Sequence, residues 1–182
     1  MTRRDALKVI VVSSLAPSLI PCLIEDVPAT ALKSLCSGRL AFVNLHTQER
    51  LQVKYLNKRG RFDRKALAKL NHLFRCYYDE KAYRIDPHLY LLLDAVRTKL
   101  HAGERTYQLL SGYRSPQYNQ YLRKNGHGVA RNSYHLKGMA ADVCLEGVSL
   151  SDLGRTAAAF KVGGVGRYND FIHMDVGPVR RW

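Results

Sequence analysis

The sequence predicts an α+β fold in which a small antiparallel sheet bears a metal site and helices pack on its other side. Three observations predict it. Short runs over 39–45, 51–56, 139–145 and 171–176 are built of strand-forming residues, two of them joined as a hairpin. Two segments, 64–78 and 86–100, carry apolar stripes at helical spacing. The strongest histidine and aspartate positions fall on single faces of the last two strands.

Taken in order, Arg39–Leu45 and Leu51–Leu56 flank the polar turn His46-Thr47-Gln48-Glu49-Arg50, where His46 reads as a solvated loop residue. Leu67, Leu70, Leu73, Phe74 and Tyr77 form the first helical stripe, which leaves His72 on the surface. Asp86-Pro87 supplies an N-cap followed by proline at the first helical position, and Leu89, Leu92, Leu93, Val96 and Leu100 continue that helix as core scaffolding. Tyr107–Leu110 reads as a buried strand that delivers Ser111-Gly112-Tyr113-Arg114-Ser115, with Ser115-Pro116 capping a helix over 117–123. The polar, glycine-rich stretch 124–132 is a surface loop that can rim a cleft, and His127 within it is read as no ligand. Strand 139–145 places Ala140, Asp142 and Cys144 on one face, and a helix capped by Ser149 or Ser151 follows over 149–160. Gly163-Gly164-Val165-Gly166 is read as a tight turn, since it opens no helix that could hold a phosphate. Strand 171–176 puts Phe171, His173 and Asp175 on one face.

The chain has 182 residues, one domain's worth of core, and a net charge of +14. A basic balance of that size points to an acidic polymer or to a well-solvated surface. No aromatic-and-glycine RNA signature and no basic heptad helix is present, which argues against nucleic acid. Residues 1–31 read as a targeting segment: Arg3-Arg4 form the pair of a twin-arginine signal, a broken apolar run spans Val9 to Ile24, and Ala29-Thr30-Ala31 offers small residues for cleavage. That run is too short and too interrupted to span a membrane, so the mature chain from Leu32 has no stable membrane span. Cleavage removes three charges of each sign and leaves +14. Of four cysteines, Cys36, Cys76 and Cys144 remain, enough in an oxidising compartment for one bridge whose partners the sequence leaves open. Cys144 is expected to be a buried, inert thiol.

The chemistry concentrates in Ser133-Tyr134-His135-Leu136-Lys137-Gly138-Met139-Ala140-Ala141-Asp142 and Asp170-Phe171-Ile172-His173-Met174-Asp175. Two imidazoles and one carboxylate, His135, Asp142 and His173, form a three-ligand set that leaves a fourth position on a zinc ion for water. No CxxC pair competes for the metal. One Zn²⁺ per chain, and hydrolysis, are therefore expected.

The pattern Ser133-x-His135-x-x-Gly138-x-Ala140-x-Asp142 resembles the motif of the metallopeptidase superfamily that contains lysostaphin, D-alanyl-D-alanine peptidases and hedgehog domains. A closer likeness is to the twin-arginine-exported murein endopeptidases of the MepK type. That likeness also covers Asn44-Leu45-His46-Thr47, Leu70-Asn71-His72, Ser111–Ser115, Gly163–Gly166 and Gly177-Pro178-x-Arg180-x-Trp182. The resemblance implies a zinc metallopeptidase domain over 32–182 that cleaves peptide crosslinks of peptidoglycan, in particular those joining two meso-diaminopimelate residues. It makes His135, Asp142 and His173 the zinc ligands, Arg114 the residue that meets the substrate carbonyl or carboxylate, and Ser133 a substrate-side hydroxyl. For the general base it offers the acid three before the last ligand, Asp170. Relatives with a histidine two before that ligand are not matched, since Phe171 stands there. Asp175 is the expected orienter of His173, and the exchange of roles between Asp170 and Asp175 stays open. The expected setting is the periplasm of a Gram-negative bacterium and the expected state a monomer. A D,D-carboxypeptidase of the same superfamily and a non-catalytic murein-binding module are the rival readings.

Overall fold

A computed structural model describes residues 29–182, with side chains from Ala31 onward. The arginine pair, the apolar run and Cys22 lie outside the described residues. In chain order the elements are α1 (Ala29–Leu35), β1 (Arg39–Asn44), β2 (Arg50–Lys54), α2 (Arg64–Leu73), α3 (Pro87–Lys99), β3 (Tyr107–Ser111) and α4 (Pro116–Lys124). A short 3-10 helix (Tyr134–Lys137) then leads into β4 (Ala140–Leu145), α5 (Leu150–Ala159), β5 (Gly164–Arg167), β6 (Ile172–Asp175) and β7 (Arg180–Arg181).

All seven strands join one sheet in the order β2-β1-β3-β4-β6-β5-β7. The expected small antiparallel sheet is therefore corrected to a larger, mixed one. β1 pairs with β3, and β5 with β7, in parallel; the other neighbours are antiparallel. The connection from β2 to β3 runs through two helices, α2 and α3, so that β3 enters the sheet on the far side of β1 and runs opposite to β2, hence parallel to β1. The stretch Gly163–Gly166, expected as a turn, mostly forms β5.

Local chemistry sets the helix starts. Asp63 accepts from the Ala66 N–H (3.0 Å), Asp86 from that of His88 (2.9 Å), Ser115 from that of Tyr118 (3.2 Å) and Ser149 from that of Asp152 (3.0 Å). Proline follows the cap in α3 and α4, where its missing N–H costs nothing. Helix α2 stops at Leu73, short of the stripe's expected end at 78, because the Phe74 carbonyl turns out to accept the Tyr113 N–H at 2.7 Å.

Alternation divides the sheet. Phe42, Tyr107, Leu109, Ala141, Val143, Ile172 and Met174 belong to one buried cluster with Leu89, Leu92 and Val96 of α3 and Leu153 of α5. Asp142, His173 and Asp175 occupy the alternate positions and so face the other way. Helices are expected on the other side alone, but Tyr118 and Leu122 of α4 and the 3-10 helix border this second face too, which corrects that expectation. Leu32 is buried in the same core, and α1 runs from Ala29 across the expected cleavage position. Among the described residues Cys36, Cys76 and Cys144 are all free thiols, so none of the pairings the sequence left open is formed. Cys144 is only half-buried and donates to the Asp170 carbonyl at 2.8 Å.

One polar group ties the N-terminal part to α3. Asp94, 0% exposed, accepts from the Ser37 hydroxyl (2.7 Å), the Gly38 N–H (2.8 Å) and the Tyr55 hydroxyl (2.9 Å). Arg97 lies 4.0 Å away, equally buried, and donates to the Arg39 and Arg105 carbonyls. Asp94→Ala strands these donors and a buried cation, and is expected to cost about 3–5 kcal/mol in urea denaturation. A loss below about 1 kcal/mol would show that the donors find other partners.

Candidate metal centre

The register between β4 and β6 sets Asp142 opposite His173, bringing together residues far apart in the chain. His135 comes from the 3-10 helix that precedes β4, started by the Ser133 hydroxyl accepting the His135 N–H at 3.3 Å. Gly138 ends that helix at φ 64°, and a Cβ there would stand 2.5 Å from the Arg84 carbonyl oxygen. Only glycine fits both demands, which accounts for it at this place in the motif.

His135 Nε2 lies 3.2 Å from Asp142 Oδ1 and 3.2 Å from His173 Nδ1, and His173 Nδ1 lies 2.8 Å from Asp142 Oδ1. All three residues are buried, and they form the one group of possible metal ligands among the described residues. Their outer atoms decide what the inner ones can do. His135 Nδ1 donates to the Gly112 carbonyl at 2.7 Å, and His173 Nε2 donates to Asp175 at 3.0 Å. Each neutral ring has thereby committed its N–H outward and turns a lone pair inward. Two lone pairs and a carboxylate oxygen converge with no donor of their own. Bonds of about 2.0–2.1 Å from a tetrahedral ion put neighbouring ligand atoms about 3.3 Å apart, close to the two 3.2 Å separations and somewhat longer than the third, 2.8 Å. The residues fit a zinc ion in donor type, number and spacing.

Electrostatics agree. Burial pushes the Asp142 carboxyl up, but the two imidazoles outweigh it and hold it well below the carboxylate range. Burial holds His135 below the ordinary imidazole value. For His173, burial also acts downward, yet hydrogen bonds to Asp142 and Asp175 carry it upward. A cation at the centre replaces the proton that two carboxylates attract to His173.

The two candidate acids are placed very differently. Asp175 is 0% exposed, and Oδ1 accepts the N–H groups of Gly164 (3.0 Å) and Gly177 (2.8 Å) and Arg180 Nη1 (3.2 Å). Its Oδ2 accepts His173 Nε2 and, at 2.6 Å, Arg180 Nη2. With about four lone-pair sites on a carboxylate, it has no room for another proton donor. Asp170 is exposed in the turn before β6 and is absent from the cavity wall, although its neighbour Phe171 lines it.

A cavity of about 730 Å³ opens over the triad. Arg114 lines it, almost fully buried, with Nη2 3.3 Å from the Ser111 hydroxyl and 3.4 Å from Asp142 Oδ2. Its Nε is buried with no partner, a cost that a bound acceptor would remove. Ser133 also lines the cavity. Several wall residues escaped the sequence reading. His46 is exposed in its turn, as expected, but also lines the cavity and stacks on Tyr77 with ring centroids 3.6 Å apart; exposed His127 lines it from the loop expected to rim a cleft. Tyr134, Arg180 and Trp182 form another part of the wall. The sequence signals for them were the 124–132 loop, the 133–142 stretch and the Asn44–Thr47 and Gly177–Trp182 stretches of the family likeness.

A family model described as peptidoglycan L,D-endopeptidase MepK matches residues 33–182, essentially the whole described chain. The chain belongs to this family. It is 41% identical over 160 residues to the peptidoglycan L,D-endopeptidase MepK of Escherichia coli K12, covering 85% of this chain and 87% of that one. The same figures hold for the Shigella flexneri protein of that name. A probable peptidoglycan L,D-endopeptidase MepK of Haemophilus influenzae is 37% identical over 145 residues, 79% of this chain and 77% of its own. As a member of this M15 peptidase family the chain is an enzyme of the metallopeptidase type. Among the described residues no helix is long and apolar enough to cross a membrane.

His135→Ala is expected to take the purified protein from about one zinc per chain to a trace, measured by elemental analysis. Undiminished zinc in a folded variant would place the metal elsewhere.

Proposed function

We propose that the chain is a zinc-dependent murein endopeptidase that hydrolyses crosslinks between two meso-diaminopimelate residues. We further propose that residues 1–31 carry it by the twin-arginine route to the periplasm of a Gram-negative bacterium, where it acts as a monomer. The observation that carries the reading is the convergence of His135 Nε2, Asp142 Oδ1 and His173 Nδ1, with both rings locked outward by Gly112 and Asp175. The names of the relatives support the murein substrate and the L,D bond.

When bound, zinc supplies Lewis acidity, lowering the pKa of a water toward about 7 and polarising a carbonyl oxygen. The chain's own groups do the rest. Arg114, at the cavity wall beside Asp142, meets negative charge as it develops on the carbonyl oxygen. Ser133 offers a hydroxyl to the substrate. Asp175 holds the His173 ring and takes no proton. Asp170 is the acid with free lone pairs, and we assign it proton transfer from the attacking water to the leaving amine. That role needs the turn before β6 to bring its carboxylate over the rim where Tyr168 and Phe171 stand.

Asp170→Asn is expected to keep its zinc and lose about 10²–10⁴-fold in turnover. A loss of less than about fivefold, small against that range, would move proton transfer to the cavity histidines His46 or His127.

The substrate is tested with purified sacculi and with two muropeptide dimers, one joined through two diaminopimelates and one through D-alanine and diaminopimelate. Chelator-sensitive release of monomers, faster from the first dimer, is expected by mass analysis. Equal rates would remove the crosslink preference. Release of terminal D-alanine alone would favour a carboxypeptidase, and zinc binding without any cleavage a binding module.

A further inference from the structure

Arg180 belongs to a two-residue strand at the edge of the sheet, yet its side chain reaches the cavity wall and the carboxylate behind His173. Its fork grips both oxygens of Asp175, and the oxygen held at 2.6 Å is the one that also receives His173 Nε2. The guanidinium carbon is 4.7 Å from the Tyr134 ring and 5.1 Å from the Trp182 ring, both within cation–π range. Trp182 in turn stands 5.3 Å from the His173 ring, and Tyr134 precedes His135. The arginine is thus held by two aromatic rings while it holds a carboxylate that aims a histidine.

We infer that Arg180 is a positioning residue for the metal centre, acting through Asp175 on the orientation of His173; this rests on the reading that His135, Asp142 and His173 hold zinc. The fork fixes the plane of the Asp175 carboxylate, which two backbone N–H groups meet at one oxygen only. With that plane fixed, Oδ2 faces His173 Nε2 and Nδ1 faces the cavity. Without the fork the carboxylate can rotate about its single bond, and the ring loses the partner that sets its direction. The strand itself does not need this contact. Arg181 donates to the Ala158 carbonyl at 2.7 Å, and the Arg180 N–H reaches the Gly163 carbonyl at 3.4 Å.

The test measures zinc affinity by competition with a chromogenic chelator, together with melting of the metal-free protein, for wild type, Arg180→Gln, Arg180→Lys and Arg181→Ala. Loss of an outer partner of a liganding histidine costs about 10–100-fold in metal affinity. Arg180→Gln is expected to show that loss, Arg180→Lys a smaller one because an ammonium cannot fork, and Arg181→Ala less than about twofold, well under that cost. Unchanged affinity in Arg180→Gln overturns the inference. So does an equal loss in Arg180→Gln and Arg181→Ala that follows their melting temperatures, since that marks a tether for the strand. Should Arg180→Gln not fold, Arg180→Lys decides, and wild-type affinity in it overturns the inference. A wild type that binds no zinc instead defeats the metal reading itself.

Discussion

Three acceptors held 2.8–3.2 Å apart in a buried pocket is an arrangement that elementary electrostatics disfavours. At that spacing the three share one centre, and each neutral ring, its N–H spent on Gly112 or Asp175, turns a lone pair toward it. The arrangement persists because its outer contacts are rigid. Gly112 offers a main-chain carbonyl, and Asp175 is fixed by two main-chain N–H groups and a guanidinium. Such a site is pre-organised for a cation, which relieves the repulsion that the fold creates.

That requirement propagates outward through close backbone approaches. A Cβ on Gly112 would lie 2.5 Å from the Phe74 carbonyl oxygen, the same oxygen that receives the Tyr113 N–H. The segment carrying the His135 acceptor is therefore pressed against the end of α2, and α2 must stop where it does. On the other flank, Gly163 has φ 85° and a Cβ there would fall 1.9 Å from the Asp175 carbonyl oxygen. A Cβ on Gly166 would meet the Trp182 indole at 2.4 Å. Strand β5 is rich in glycine because Asp175 and the terminal tryptophan occupy the space its side chains would need.

This explains which features were legible in the sequence. The caps at Asp86-Pro87 and Ser115-Pro116 were readable because capping is decided within three residues, and Ser149 was narrowed to one of two serines for the same reason. The His135, Asp142 and His173 set was readable because donor type narrows the chemistry sharply. The parallel pairing of β1 with β3 depends on contacts across more than sixty residues, which periodicity cannot report. Gly163–Gly166 was misread because glycine marks both turns and close approaches, and only the neighbour at Asp175 separates the two. The same holds for the acids. Asp170 and Asp175 are comparable in sequence, three before and two after His173, but one is exposed and the other is saturated by donors. His46, His127 and Arg180 come to the cavity from a hairpin turn, a loop and an edge strand, none of which has a pattern that points inward.

The charge of the protein and the charge of the site do different jobs. An excess of +14 attracts an anionic polymer without choosing a bond in it, and at physiological ionic strength it acts over about 8 Å. The cavity's two arginines are not part of that diffuse field, because Arg114 lies against Asp142 and Arg180 against Asp175. Their charges are largely balanced within the site, so choice of bond depends on shape and on directed donors such as the unpartnered Nε of Arg114. Adding salt should then weaken capture of the polymer while leaving bond selection intact. On the proposed reading, selectivity would reside in the cavity wall around His135, Asp142 and His173, and the basic charge would serve only to attract the polymer.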